Sequence, residues 1–163
     1  MVALKVEDVR SFTSKLFVKE DFDRFLVKEI NIITYNSFTI DGHVRQGYYT
    51  QEELEENRIE DFSSWKMLRP LCFSLIKGKK LPLSFHIVLS LAPGDVEKFA
   101  ASLGTGIDGS QIQGLYLNIR YEDGALYCIT GTSLNFFTLD KTLENEWDNA
   151  VKVFMRSHEI VCT

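Results

Sequence analysis

The side chains best suited to move protons or hold metals are few in this chain: His43, His86 and His158, with Cys72, Cys128 and Cys162. Asp41 and His43 flank a single glycine, which makes them candidates for a small acid–base pair, with His86 as the third catalytic candidate. The structural reading of the same residues is a turn, and a turn ordinarily points its two flanking side chains apart. His86 falls on the polar side of an alternating run, between Ser84 and Ser90. His158 sits at the end of a helical pattern, where a cation meets the negative end of the helix dipole. No pair is spaced H-x-x-x-H or H-E-x-x-H, so the sequence offers no metal site. Gly104-Thr105-Gly106-Ile107-Asp108-Gly109 matches G-x-G-x-x-G. It leaves a helix and enters a strand, the reverse of a dinucleotide site, so it reads as a plain loop and no cofactor is expected. No G-x-S-x-G elbow and no phosphate-binding loop of the G-x-x-x-x-G-K-[ST] type occurs. Cys72 and Cys128 lie on apolar faces and read as inert core thiols.

Charge is unevenly laid out. Glu52, Glu53, Glu55, Glu56, Glu60 and Asp61 crowd one stretch, whereas Ser64 to Lys80 holds no acid and carries Lys66, Arg69, Lys77, Lys79 and Lys80. Acids at a helix start and lysines at a helix end each complement the dipole. The sharper reading makes Lys77, Lys79 and Lys80 a small basic patch for a phosphate or an acidic partner.

These residues belong to a chain of 163, enough for a single domain over 1–163. It is 45% hydrophobic with 10 Gly and 3 Pro, a balance that builds a core and excludes disorder and low-complexity tracts. No apolar run approaches the ~18 residues of a membrane span. The first residues bring acids before any apolar stretch, unlike a signal peptide. An odd number of cysteines without C-x-x-C spacing suits a reducing compartment, so a cytoplasmic location is expected. The formal charge of −5 gives no general attraction to nucleic acid.

The elements follow from hydrophobic period. Ala3–Val6 reads as a strand, and Val9, Phe12, Leu16 and Phe17 recur at helical spacing. A helical turn fits 21–25. The β-branched region 30–40 reads as a strand, turning on Asp41-Gly42 into a return strand over 43–49. Thr50 and Glu53 form a capping box for a short acidic helix. Ser63 or Ser64 caps a longer helix with Trp65, Leu68, Leu71, Cys72, Leu75 and Ile76 inward, kinked or restarted by Pro70 and stopped by Gly78. Leu83 to Leu91 alternates cleanly, with Leu83, Phe85, Ile87, Leu89 and Leu91 on one face. Pro93 opens a helix with Val96, Phe99 and Leu103 inward and Gly104 at its end. A second hairpin over Asp123-Gly124 sets Glu122 opposite Ala125 and Arg120 opposite Tyr127, with Cys128 buried. A last strand over 134–138 and a helix over 141–157 follow, the helix capped by Asp140 and burying Leu143, Trp147, Ala150, Val151 and Phe154.

An internal repeat emerges. Asp8-Val9-x-x-Phe12-x-x-x-Leu16 parallels Asp95-Val96-x-x-Phe99-x-x-x-Leu103, each between a strand and a hairpin. The expected fold is α+β, with two strand–helix–hairpin halves at about 1–49 and 83–138 sharing antiparallel sheet. A helical insert over about 50–80 (helices within 51–77) and the C-terminal helix at 141–157 are extra. This plan resembles the repeated unit of the sliding-clamp processivity factors of DNA polymerases, and Ile40-Asp41-Gly42-His43-Val44-Arg45 is similar to an Asp-Gly-His turn followed by Arg in bacterial clamps. The resemblance implies a clamp-like fold. Against it stand the extra helices, the single-domain length and helix surfaces carrying Glu7, Asp95 and Glu97 beside Arg10, Lys15 and Lys98. The phrase Lys77-Gly78-Lys79-Lys80-Leu81-Pro82-Leu83 resembles uncharacterised proteins of anaerobic Firmicutes, which carry no assigned activity. The functional expectation is a non-catalytic binding or assembly domain, joined to a protein partner or to itself, with no membrane. The alternative is a small cytoplasmic enzyme using Asp41, His43 and His86.

Overall fold

A computed structural model describes residues 1–104 and 106–163. Among them six strands form one antiparallel sheet: β1 (Ala3–Lys5), β2 (Leu26–Ile33), β3 (Ser37–Asp41), β4 (Ser84–Ser90), β5 (Ile112–Glu122) and β6 (Ala125–Leu134). Their spatial order is β1-β6-β5-β4-β2-β3. The helices are α1 (Val9–Phe17), α2 (Gln51–Glu56), α3 (Trp65–Ile76), α4 (Pro93–Leu103) and α5 (Thr142–Ser157). The α+β class expected from the sequence is the class observed.

The register shows why the sheet holds together. Cross-strand pairing lines up Leu4, Cys128, Ile119, Ile87, Ile30 and Ile40 in one row across all six strands. The neighbouring row on the opposite face reads Lys5, Tyr127, Arg120, His86, Asn31 and Thr39. A strand turns successive side chains to opposite faces, so one apolar row fixes one polar row beside it. The helices close the apolar face with Phe12, Leu16 and Phe17 from α1, Trp65 and Cys72 from α3, Val96 from α4, and Leu143, Trp147, Val151 and Met155 from α5. Two indoles bolt helix to neighbour: Trp65 Nε1 donates to the Leu16 carbonyl at 2.8 Å and Trp147 Nε1 to the Tyr116 carbonyl at 3.0 Å. Arg69 on α3 grips the 21–25 turn, its Nε and Nη2 donating to the two carboxylate oxygens of Asp23 at 2.8 and 2.9 Å.

Caps follow the sequence closely. Asp8 accepts from the Ser11 N–H, Thr50 and Glu53 close a full capping box, and Ser64 accepts from Met67. The β5–β6 hairpin turns on Asp123 and Gly124, with φ of 52° and 77° as the two-residue turn requires. Its register is the expected one, Glu122 opposite Ala125 and Arg120 opposite Tyr127.

Elsewhere the chain departs from expectation. The first hairpin does not turn on Asp41-Gly42. It turns on Thr34–Asn36, with Ile33 opposite Ser37, and Asp41 ends β3 opposite Glu29. Gly42 serves a different need: a Cβ there would lie 1.8 Å from the Val27 carbonyl oxygen, so glycine permits a close backbone approach. No return strand runs over 43–49; His43 makes a lone bridge to Phe62 and residues 46–48 form a 3-10 turn. Residues 21–24 are a turn without helix, α3 runs through Pro70 without a break, and β6 ends at Leu134 with no strand after it. Asp140 accepts from Thr142, while Lys141 is the cap residue of α5. Leu71 and Leu83, expected inward, are exposed. Leu83 precedes the strand behind Pro82, outside the pleat that buries Phe85, Ile87 and Leu89.

The order strand–helix–strand–strand does occur twice, as β1-α1-β2-β3 and as β4-α4-β5-β6. The two runs are paired differently. β4 and β5 are neighbours, while β1 and β2 stand four positions apart. Phe12 is fully buried and Phe99 half-buried.

The two Asp-Gly dipeptides should therefore respond differently to a methyl group. Gly42→Ala meets immovable backbone and is expected to cost roughly 3 kcal/mol. Gly124→Ala has open space and carries only the left-handed conformational penalty, about 1 kcal/mol. Urea denaturation of the two variants measures the difference.

Candidate functional site

Asp41 and His43 are not pointed apart. The Asp41 Oδ1 accepts the His43 backbone N–H at 2.9 Å and lies 3.0 Å from its ring Nδ1, while Arg45 Nη2 donates to Oδ2 at 3.2 Å. The loop after β3 folds the imidazole back because the chain does not continue as a strand. The His43 ring rests on Phe62, centroids 4.3 Å apart. The group is open to water, and the three side chains are each more than half exposed. The His43 backbone N–H, then its ring, then Arg45 hold the Asp41 carboxyl below its ordinary value. His86 is elsewhere, on β4 between Asn31 and Arg120 in the polar row. Asp41 lies two strands across and two residues along from it, a backbone separation of about 12 Å from strand spacings. His158 caps the end of α5, its Nδ1 2.8 Å from Asp21 Oδ2.

The thiols have little nucleophilic character. Burial pushes the Cys72 thiol up to about 12 and raises Cys128 further. Cys162 is half-exposed and also raised, by burial and then by Glu7. Among the described residues no group of three His, Cys, Asp or Glu is placed to hold a metal ion. Of the G-x-G-x-x-G string, Thr105 lies outside the described residues; the rest connects α4 to a 3-10 turn before β5, at the carboxyl end of a helix.

Beside Phe62, on the side of β2, lies a cleft of about 330 Å³. Lys28 reaches into it as the extra residue of a β-bulge between Val27 and Glu29. Its Nζ sits 3.9 Å from the Phe62 ring centroid and 5.8 Å from that of Tyr116. Glu60, Asp61 and Glu97 also line the cleft, so its cation is opposed by three acids.

Two hollows larger than this cleft lie at the other end of the strands, around the lysine loop. Lys77 follows α3, Gly78 reverses the chain at φ 132°, and the Leu83 N–H donates to the Ile33 carbonyl to start β4. Between α1, α3 and this loop runs a groove of about 690 Å³, floored by Phe17, Phe73, Ile76 and Phe85 and rimmed by Arg10 and Lys79. On the far side of the loop a second hollow of about 480 Å³ is lined by Tyr35, Leu75, Ile76 and Leu83, with Lys77, Lys79 and Lys80. Leu81 borders both hollows and is 79% exposed, and Leu83 is 71% exposed. No acidic side chain lines either hollow. Among the described residues Arg10, Lys77, Lys79 and Lys80 make no ion pair.

The sequence singled out the three lysines but not the apolar ground they rim. The missed signal is Leu81-Pro82-Leu83: Pro82 removes a ladder donor, so the strand period cannot extend back through it.

Two chemical tests follow from this geometry. A depressed carboxyl stabilises the fold above its unfolded titration range and loses that contribution as pH falls through the folded value. NMR titration of Asp41 should thus give a midpoint below 3.8, with only part of the shift lost in His43→Ala, since the backbone N–H remains. With a thiol reagent at pH 8, Cys162 should label first, and Cys72 and Cys128 only as fast as the protein opens.

No curated protein and no solved structure matches the chain. A family model does, over residues 15–162, and by that match the chain belongs to a family of unknown function, DUF5721.

Proposed function

We propose that this protein is a non-catalytic binding domain whose docking surface is the pair of hollows around the Lys77–Leu83 loop. The observation that carries the reading is the coincidence of exposed leucines with cations that make no ion pair among the described residues, in hollows that no acidic side chain lines. A surface of that kind fits a segment of a protein partner that offers two or three large apolar side chains flanked by carboxylates. The apolar groups would fill the floor and the carboxylates meet the lysines, which adds rate and specificity more than raw affinity. The protein's net charge of −5 makes this local basic surface stand out against the rest.

Of the likeness to sliding clamps, the doubled element order is present, but its two runs pair differently in the sheet. The helix surfaces add nothing to it, because α4 carries Asp95 and Glu97 in its first turns. The alternative of a small enzyme has the 3.0 Å contact of Asp41 and His43 in its favour. Its setting counts against it: the pair is open to solvent and His86 stands strands away.

The test is binding of a fluorescent peptide with two Phe or Leu side chains flanked by four Glu, followed by anisotropy at low salt. Binding should weaken at least tenfold in Leu81→Asp and in the Lys79→Glu/Lys80→Glu double variant, and should decline as salt rises. No saturable binding, or equal binding by all three proteins, overturns the reading. So does protein that ignores the peptide and sediments with phosphatidylserine vesicles.

A further inference from the structure

The two ends of the sheet carry different surfaces, and the lysine end also holds the exposed Glu122 and Asp123 of its hairpin turn. At one end, beside the Thr34–Asn36 and Asp123-Gly124 turns, are the lysine loop and its hollows. At the other end, past Leu134 of β6, the chain runs through Phe136, Phe137 and Leu139 before Asp140 and α5. Phe137 is 88% exposed and Leu139 81%, so this loop holds two large apolar side chains in water. The acidic stretch leaves the sheet after β3 toward this end, with Glu60 and Asp61 in the cleft beside Lys28 and Glu52, Glu53, Glu55 and Glu56 on α2, none of them buried. β6 is ten residues long, so about 30 Å of strand separates the ends, and a molecule cannot seat its own loop in its own groove.

The lateral order also agrees. The apolar loop leaves β6 and the acidic arm follows β3, on opposite flanks of the sheet. At the basic end the larger apolar groove borders Tyr121 and Gly124 on the β5–β6 flank, and the hollow with all three lysines borders Thr34 and Tyr35 on the β2–β3 flank. The apolar loop and the larger apolar groove thus share the β5–β6 flank at opposite ends of the sheet.

From this we infer that the partner is a second copy of this chain, docked head to tail, with Phe137 and Leu139 of one copy seated in the groove beside Leu81 of the next. The inference rests on the docking surface proposed above and names its occupant. A head-to-tail contact leaves a free groove and a free loop at each end of a pair, so growth continues into an open filament or a closed ring.

Sedimentation velocity of the full chain at rising concentration and low salt tests this, with two variants at exposed positions, Phe137→Asp and Leu81→Asp. The wild type should rise above 18.7 kDa with concentration. Each variant alone should associate at least tenfold more weakly. Mixed, the two should combine into a 1:1 dimer that grows no further, because each supplies one intact surface. A wild type that stays monomeric at hundreds of micromolar, or variants that do not combine, overturns the inference, even where Phe137→Asp still binds the acidic peptide. Loss of that peptide binding as well would instead remove the docking surface itself.

Discussion

One constraint organises the molecule: six strands must each deliver an apolar side chain to the same cross-strand row. The row from Leu4 to Ile40 is continuous only in the observed register. A slip of one residue in any strand would exchange its members with the polar row that holds Arg120 and His86. The helices depend on that row, since Phe12, Trp65 and Trp147 have buried ground to meet only when all its members face them. The row also determines where the strands end, and so which loops share an end of the sheet. The placement of the lysine loop and the Phe137 loop at opposite ends is thus a consequence of register.

Where local chemistry and tertiary demand coincide, the sequence was legible. Phe85, Ile87 and Leu89 alternate because one face of β4 is buried, and Asp123-Gly124 turns because both residues must take positive φ. The capping box at Thr50 and the cap at Ser64 are satisfied by their own neighbours and need no tertiary help. Asp41-Gly42 carries the same two letters as the true turn and so reads as a turn from sequence alone. Glycine answers two demands, positive φ and close approach, and only the position of Val27 across the bulge reveals which one holds at residue 42.

The candidate site was legible in its charges but not in its apolar half. Lys77, Lys79 and Lys80 are conspicuous because no acid interrupts them. Leu83 reads as a core residue by alternation, yet it stands one residue before β4 and is exposed, although its N–H still bonds the Ile33 carbonyl. Phe136 and Phe137 likewise read as part of a strand, because aromatic residues favour strands wherever a partner exists. Here the sheet has already ended: β6 stops at Leu134, opposite the first residue of β5.

The core closes without Leu81, Leu83, Phe137 and Leu139, so folding gives no reason for side chains of that size at those positions. Burying each would stabilise a contact by about 1.5–3 kcal/mol. Four of them supply roughly 6–12 kcal/mol, comparable with the ~4–15 kcal/mol lost as motion when two molecules join. Apolar contact alone therefore leaves association close to balance. In the proposed head-to-tail contact the lysines would meet the acidic arm, and that attraction would distinguish it from a pairing of two identical faces. A balance so near zero would make the proposed assembly responsive to concentration and salt.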